Sequence, residues 1–279
     1  MAAPSSIDVA VVGCGVSGLG AAWLLSRDPR VRVHLIEARA ALGGHANTVS
    51  VRGRPIDTGF LVFNENTYPN LLGLFAELGV PTEPSNMSFA VSLAERAFEW
   101  GSEGLGALFA TRANLVSAEF RAMLRDLLRF NAEAPAFLAR VRGGDKHAAA
   151  MSMAQFLEEG DYGTPFRDWY LVPQMAAVWS AAADEVLAFP ATTFLQFSVN
   201  HSLTQALDRP IWRTVSRRSR EYVRRIAASL PADRTVIKLE TSVVRVTRAQ
   251  GAGQGQGTRV TIIGEQGSLG VFDHVVFGA

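Results

Sequence analysis

The chain has 279 residues with a formal net charge of +1; 48% are hydrophobic and 19% charged. That length supports more than one packed core, and near-neutrality argues against a bulk electrostatic partner such as nucleic acid. A single cysteine leaves no internal disulfide and no CxxC metal site. No uninterrupted apolar run is long enough for a transmembrane segment. The first residues carry no basic cluster ahead of the first apolar run, so no secretory leader is expected and the chain reads as cytoplasmic.

The most informative stretch comes first. An apolar, β-branched run, Ile7–Val12, ends at Gly13-x-Gly15-x-x-Gly18 and passes straight into an apolar helical stretch. A second run, Val31–Ile36, ends at Glu37. Strand, glycine turn, helix, strand and acid make the βαβ setting in which GxGxxG reads as a dinucleotide fingerprint. Gly13 permits the tight turn, Gly15 lets the backbone approach a pyrophosphate, and Gly18 lets helix and strand pack closely. The amides near Val16 and Ser17 open the helix toward the phosphates, where its dipole favours negative charge. Glu37 lies 19 residues after Gly18, where a carboxylate accepts ribose hydroxyls. Cys14, inside the turn, reads as a small structural side chain.

Further along, apolar spacing predicts a helix over 67–78, strands over 88–93 and 97–100, and a long amphipathic helix over 116–141 bent at Pro135. Residues 143–147 read as a surface linker. Ser152 and Gln155 form a capping-box pattern that opens a helix to 159. Helices are expected over 165–171 and 218–229, then strands from 234 to 276 with a glycine-rich hairpin loop at 251–257. Arg209, Arg213, Arg217, Arg218, Arg220, Arg224 and Arg225 read as a solvated helix face rather than an anion site. Trp169, Tyr170, Trp179 and Trp212 read as core before cavity lining. His201 reads as a capped or packed histidine.

The segment Glu37-Ala-Arg39-Ala-Ala-Leu42-Gly43-Gly44-His45 resembles that of flavoproteins of the amine oxidase type. There the pattern is glutamate, alanine, arginine, two variable residues, an aliphatic, a glycine pair and usually arginine. His45 replaces that arginine, which removes a permanent charge and keeps one hydrogen-bond donor. Residues 55–64, with Gly59, resemble the segment that turns beside the flavin ring. Residues 57–69, 84–92, 166–179 and 212–225 resemble a subgroup of NAD/FAD-binding amine oxidase-like proteins of undefined substrate. Val243 stands in a strand resembling the one whose valine backbone contacts the adenine, and 273–276 resembles the strand returning to the cofactor domain.

The resemblance implies an α/β fold: a Rossmann-like FAD/NAD(P)-binding domain, residues 1–65 and 209–279, around an inserted, mostly helical (α+β) substrate domain, 66–208. It implies FAD as cofactor, held by Gly13, Gly15, Ser17, Gly18, Glu37, Arg39, Gly43, Gly44, His45, Gly59 and Val243. It further implies a small-molecule substrate, an amine or an apolar desaturable compound, that yields a hydride to flavin N5. Asn64, Glu65 and Tyr68 are the polar residues nearest the implied ring.

Two departures stand out. Arg217 and Arg218 occupy positions where family members have a glycine pair, and a positive φ or close approach to flavin there would be obstructed. The chain also stops at Ala279, in or just after a strand, so by resemblance it lacks the C-terminal part of the family pattern. Many relatives place a lysine near N5 in that part. Lys146 and Lys238 are the only lysines here; one falls in the linker and one in a strand, so no catalytic residue is assigned. The alternatives are a non-catalytic dinucleotide-binding or interaction protein and an NAD-dependent dehydrogenase.

Overall fold

A computed structural model describes residues 6–93, 95, 98–204, 210–248 and 259–279. In chain order the elements are β1 (Ile7–Val12), α1 (Val16–Leu25), β2 (Val31–Ile36), β3 (Thr48–Val51), β4 (Arg54–Asp57), β5 (Phe63–Asn64), α2 (Pro69–Glu77) and β6 (Thr82–Pro84). There follow β7 (Ala90–Leu93), β8 (Phe98–Gly101), α3 (Gly104–Leu108), α4 (Ala118–Arg142), α5 (Lys146–Ala150), α6 (Met153–Glu159) and α7 (Thr164–Phe166). After them come α8 (Val172–Trp179), α9 (Ala183–Ala188), α10 (Ala191–Asn200), β9 (Trp212–Val215), α11 (Arg220–Ser229) and β10 (Thr235–Lys238). The described chain closes with β11 (Val243–Arg248), β12 (Val260–Gly264), β13 (Gly267–Phe272) and β14 (His274–Phe277). The expected 251–257 loop, Arg209 and Ala97 lie outside the described residues.

The chain divides into two compact units. The first comprises Met1–Phe63, Tyr68–Ser85 and Arg213–Ala279. Its centre is a parallel sheet in the order β10-β2-β1-β14, with Val9 opposite Val33 on one side and His274 on the other. Side chains alternate between the two faces of such strands, and both faces carry packed apolar side chains here, although Asp8, Arg32 and His34 interrupt the apolar runs. Val9, Val11, Val33 and Leu35 pack with Leu19 and Ala22 of α1 and with Tyr222, Val223 and Ile226 of α11. Ala10 and Ile36 face the other way, against Ile262 and Phe272 of the antiparallel sheet β11-β12-β13.

Residues 68–85 were expected within the helical insertion, but they group with the first unit. Leu71, Leu72, Leu74 and Phe75 of α2 join the same core as Val9 and Leu35, and β6 pairs with β9, Thr82 opposite Val215. The α11 helix begins at Arg220 rather than 218 because the turn before it is taken up by Asp57. That carboxylate accepts the Ser219 amide at 3.1 Å and its hydroxyl at 2.8 Å, and also the Thr48 hydroxyl. The β3–β4 hairpin therefore caps a helix some 160 residues away, satisfying donors that a local side chain would normally take.

The second unit comprises Asn64–Thr67 and Asn86–Trp212. Its 25-residue α4 is capped by Ser117, whose hydroxyl accepts the Phe120 amide, and runs through Pro135 without interruption. Phe120, Met123, Phe130, Phe137 and Leu138 form its buried stripe, packed with Phe156, Phe166 and Phe194. The Ser152–Gln155 capping box is present in both directions. The expected 143–147 linker is half helix, since Asp145 accepts the Ala148 amide and opens α5. The expected helix over 165–171 widens into a π turn, Arg167–Leu171, before α8. Pro173 has no N–H to give the carbonyl four residues back, and that carbonyl, of Trp169, accepts the Trp100 indole N–H at 3.0 Å.

Candidate functional site

Within the first unit a cavity of about 970 Å³ opens at the carboxyl ends of β1 and β2, the position ligands take in sheets of this kind. The glycine turn forms its floor. Gly13 has φ 87, a conformation natural only to glycine, and its amide bonds to Ile36 O at 2.9 Å. Gly15 is the N-cap of α1, with no side-chain cap bond and no acidic residue in the first turn. The opening amides of an α-helix have no partner within the helix, so those near Val16 and Ser17 remain for a ligand. A Cβ on Gly15 would meet nothing nearer than Gly278 O at 3.9 Å. The open space beside Gly15 is a cradle that any other side chain would fill.

Glu37 stands at the end of β2 and is only 7% exposed. One carboxylate oxygen accepts the Cys14 amide at 2.8 Å, the other the Arg39 amide at 2.9 Å. Two amides fix the carboxylate, and a carboxylate has acceptor sites for about four donors, so capacity remains for a diol. Thr241 N–H bonds to Glu37 O at 2.8 Å and Glu240 N–H to Arg39 O at 3.0 Å, which lays Thr241, Ser242 and Val243 along the same end of the cavity.

The glycine pair borders the helix N-terminus. Gly43 bridges Gly15 in parallel, its amide bonding to Cys14 O at 2.8 Å. Gly43 and Gly44 have φ of 122 and 58, and a Cβ on Gly44 would lie 2.9 Å from Gly15 Cα. His45 follows, lining the cavity with its side chain exposed; its carbonyl accepts the Phe60 amide at 2.9 Å. Phe60, Tyr68 and Tyr222 supply an aromatic wall, with ring centroids 6.0 and 6.5 Å from Phe60. Burial pushes the phenols of Tyr68 and Tyr222 above their ordinary range, and the Asp57 charge adds to the effect on Tyr222. Burial, with the Glu37 charge second, pushes the Cys14 thiol up to about 12, so it is a protonated, inert group.

Of the expected residues, Gly13, Gly15, Ser17, Glu37, Arg39, Gly43, Gly44, His45 and Val243 line the cavity. Gly18 and Gly59 stand behind it. A Cβ on Gly18 would overlap Gly13 O, and one on Gly59 would overlap His45 O, so both hold backbone against backbone. Tyr68 lines the cavity; Asn64 and Glu65 do not. Asn64 instead accepts the amides of Asn66 and Thr67 at 3.0 Å each. Sequence reading did not single out Trp23, Leu71, Leu74, Tyr222, Thr241 or Gly278, all of which line the cavity.

The remaining candidates take structural places. Arg213 bonds to Thr82, Arg218 to Pro55 O, and Arg224 and Arg225 to Glu221. Arg218 has φ 71, so the glycine-type conformation is present and an arginine adopts it. In the second unit Trp169 and Tyr170 are buried, Trp179 packs on Phe189, Phe194 and Phe197, and Trp212 stacks on His201. His201 Nδ1 lies 3.0 Å from Phe197 O. Lys238 Nζ donates to Leu269 O at 3.2 Å. Among the described residues no group of histidine, cysteine and acidic side chains could hold a metal ion, and no helix is long and apolar enough to cross a membrane.

A fixed carboxylate, uncapped helix amides, an open glycine cradle and an aromatic wall within one cavity fit an extended dinucleotide. The comparisons with known proteins agree. The family described as flavin containing amine oxidoreductase matches residues 16–279. A Mycobacterium tuberculosis protein named "Putative flavin-containing monoamine oxidase AofH" is 41% identical over 83 residues, 30% of this chain and 18% of that protein. The fold is similar to that of putrescine oxidase bound to putrescine (TM-score 0.69, 20% identity, 95% of this chain and 56% of that one). It is also similar to cyclohexylamine oxidase from Brevibacterium oxydans IH-35A (TM-score 0.66, 22% identity, 98% and 57%). The chain thus spans little more than half the length of these structures. It belongs to the family of flavin-containing amine oxidoreductases, whose cofactor is FAD.

Proposed function

We propose that the chain works as an oxidoreductase that removes a hydride from a small amine or an apolar desaturable molecule. The first unit binds FAD and the second, mostly helical unit contributes the substrate side. Bound FAD supplies the hydride acceptor at its isoalloxazine N5. The chain's own residues bind and orient. Glu37 accepts the adenosine ribose hydroxyls, and the amides of Val16 and Ser17, with the helix dipole behind them, take the pyrophosphate. The Gly43-Gly44-His45 segment passes beneath the cofactor, aided by Arg39, while Val243 offers backbone at the adenine. Phe60, Tyr68 and Tyr222 keep water from the far end. Gly18 and Gly59 hold the two turns in place.

The observation that carries this reading is Glu37, a buried carboxylate pinned by two amides with acceptor capacity left over. An amine substrate is supported by the printed names of two similar structures, putrescine oxidase and cyclohexylamine oxidase. A single, buried thiol suits a cytoplasmic setting. The test is the visible absorbance spectrum of the purified chain, with flavin released by denaturation quantified against protein. A flavin spectrum near one-to-one, bleached anaerobically by an amine, is the expected result. A colourless protein indifferent to added FAD overturns it and leaves the non-catalytic alternative.

A further inference from the structure

The cavity carries few charges for a ligand with a doubly anionic pyrophosphate. Among the described residues its titratable lining side chains are Cys14, Glu37, Arg39, His45, Tyr68 and Tyr222. Burial keeps the Cys14 thiol and both phenols protonated near neutral pH. Glu37 is a carboxylate already engaged by two amides, and Arg39 is a permanent cation two residues from it, at the same end of the cavity. The α1 helix, the α2 segment beyond Tyr68, the Gly59 turn and the Thr241–Val243 stretch add no further titratable group to the lining. That leaves His45.

Its position matters as much as its chemistry. Gly44, the preceding residue, abuts Gly15, where a Cβ on Gly44 would lie 2.9 Å from Gly15 Cα. Gly15 is the N-cap from which the uncapped amides of α1 project. The imidazole therefore springs from a backbone one residue away from the helix end that attracts a pyrophosphate. It is exposed, and its ring makes none of the described hydrogen bonds or ion pairs. Histidine is the side chain whose charge ordinarily changes between pH 5 and 8.

We infer that His45 is a proton-dependent anchor for the cofactor pyrophosphate, so that dinucleotide binding is coupled to proton uptake. The inference rests on the FAD reading above. With imidazolium present, a charge-assisted hydrogen bond joins the amide contacts; with neutral imidazole, one ordinary donor remains. Binding is therefore tight on the acid side and weakens as pH rises through the histidine range. A charge-assisted hydrogen bond is roughly twice as strong as the neutral one that remains, so the dissociation constant should rise about tenfold from pH 5.5 to pH 8.5.

The experiment is calorimetric titration of flavin-free chain with FAD across that range, in buffers of different ionisation enthalpy so that proton uptake is counted directly. Wild type should show the tenfold slope, with proton uptake peaking at about half a proton in the middle of the range and falling away at both ends. His45→Gln should bind weakly and evenly across pH, and His45→Arg tightly and evenly; both sit at an exposed position and should fold. FAD binding with no pH slope, or a slope that survives in His45→Gln, overturns the inference and leaves the flavoprotein reading intact. No FAD binding at any pH overturns both.

Discussion

The Cys14 amide donates to the Glu37 carboxylate at 2.8 Å, which ties the glycine turn to the end of β2. In the proposed function Glu37 is a ligand group, and by this bond it is also a structural pin; the two roles separate under mutation. Glu37→Gln keeps one acceptor oxygen but turns an NH₂ toward an amide donor. Leaving a buried donor unmatched costs about 1–3 kcal/mol. We expect a lower melting temperature in the flavin-free chain and, independently, FAD binding weakened at least about tenfold through loss of a charged acceptor. Unchanged affinity in a folded Glu37→Gln chain would remove Glu37 from the ribose.

Two glycines in α1 make opposite predictions. A methyl on Gly18 would overlap Gly13 O and lie 3.3 Å from Val11 Cγ1. Gly20 has nothing within 4 Å of an added Cβ. Gly18→Ala should therefore cost at least about 1–3 kcal/mol through backbone displacement. Gly20→Ala should stabilise the ligand-free chain by about 0.5–1 kcal/mol through helix propensity. Chemical denaturation of both variants checks the pair, and equal effects would sink this account of the helix–strand contact.

The legible parts of the molecule were those written locally. β1, α1 and β2 follow from apolar period and glycine spacing, and nine of the eleven expected ligand residues do line the cavity. Ser152 and Gln155 cap each other within one turn, so that box could be read directly. What escaped depends on distant partners. The 68–85 segment joins the first unit only because Phe75 finds a core built from both ends of the chain. Asp57 caps α11 from another element, and Tyr222 presents the same helical spacing whether it lines a cavity or fills a core. Gly18 stands at the close helix–strand contact that its place in the fingerprint gave it, whereas Gly59 admits the His45 carbonyl, which resemblance to a flavin-side turn does not distinguish from admitting a ligand.

Arg218 holds φ 71 while its guanidinium donates to Pro55 O at 3.2 Å. A left-handed conformation costs a non-glycine residue roughly 1–2 kcal/mol. Arg218→Gly relieves that strain and loses the hydrogen bond, whereas Arg218→Ala loses the bond and keeps the strain. The glycine variant should therefore be more stable than the alanine variant by about 1 kcal/mol, measured by urea denaturation. The reverse order would show that the turn before α11 does not require positive φ.

Cys14 should resist alkylation. Its side chain is fully buried and its thiol is pushed up to about 12 by burial and by the Glu37 charge, so almost no thiolate exists at pH 8. Iodoacetamide labelling should be far slower in the native chain than in urea, as followed by intact mass. Labelling at the rate of a free thiol would contradict the buried glycine turn.

Glu221 sets the acid limit of α11. Arg225 donates to it at 2.7 Å and Arg224 at 3.0 Å, and these hydrogen bonds hold its carboxyl below the usual carboxylate range. Arg225 also donates to Leu78 O at 3.0 Å, so the ion pair links α11 to the end of α2. Because the folded value lies below the unfolded one, the unfolded chain binds more protons between them. Stability from this group is therefore complete above the ordinary glutamate range and is lost as pH falls through the folded value. Glu221→Gln should lower the melting temperature at pH 7, and the gap from wild type should narrow as pH drops below about 4.3, the ordinary glutamate value. Melting curves of both proteins from pH 7 to pH 3 provide the check. A gap that stays constant over that range would mean that Glu221 contributes through packing and not through its charge.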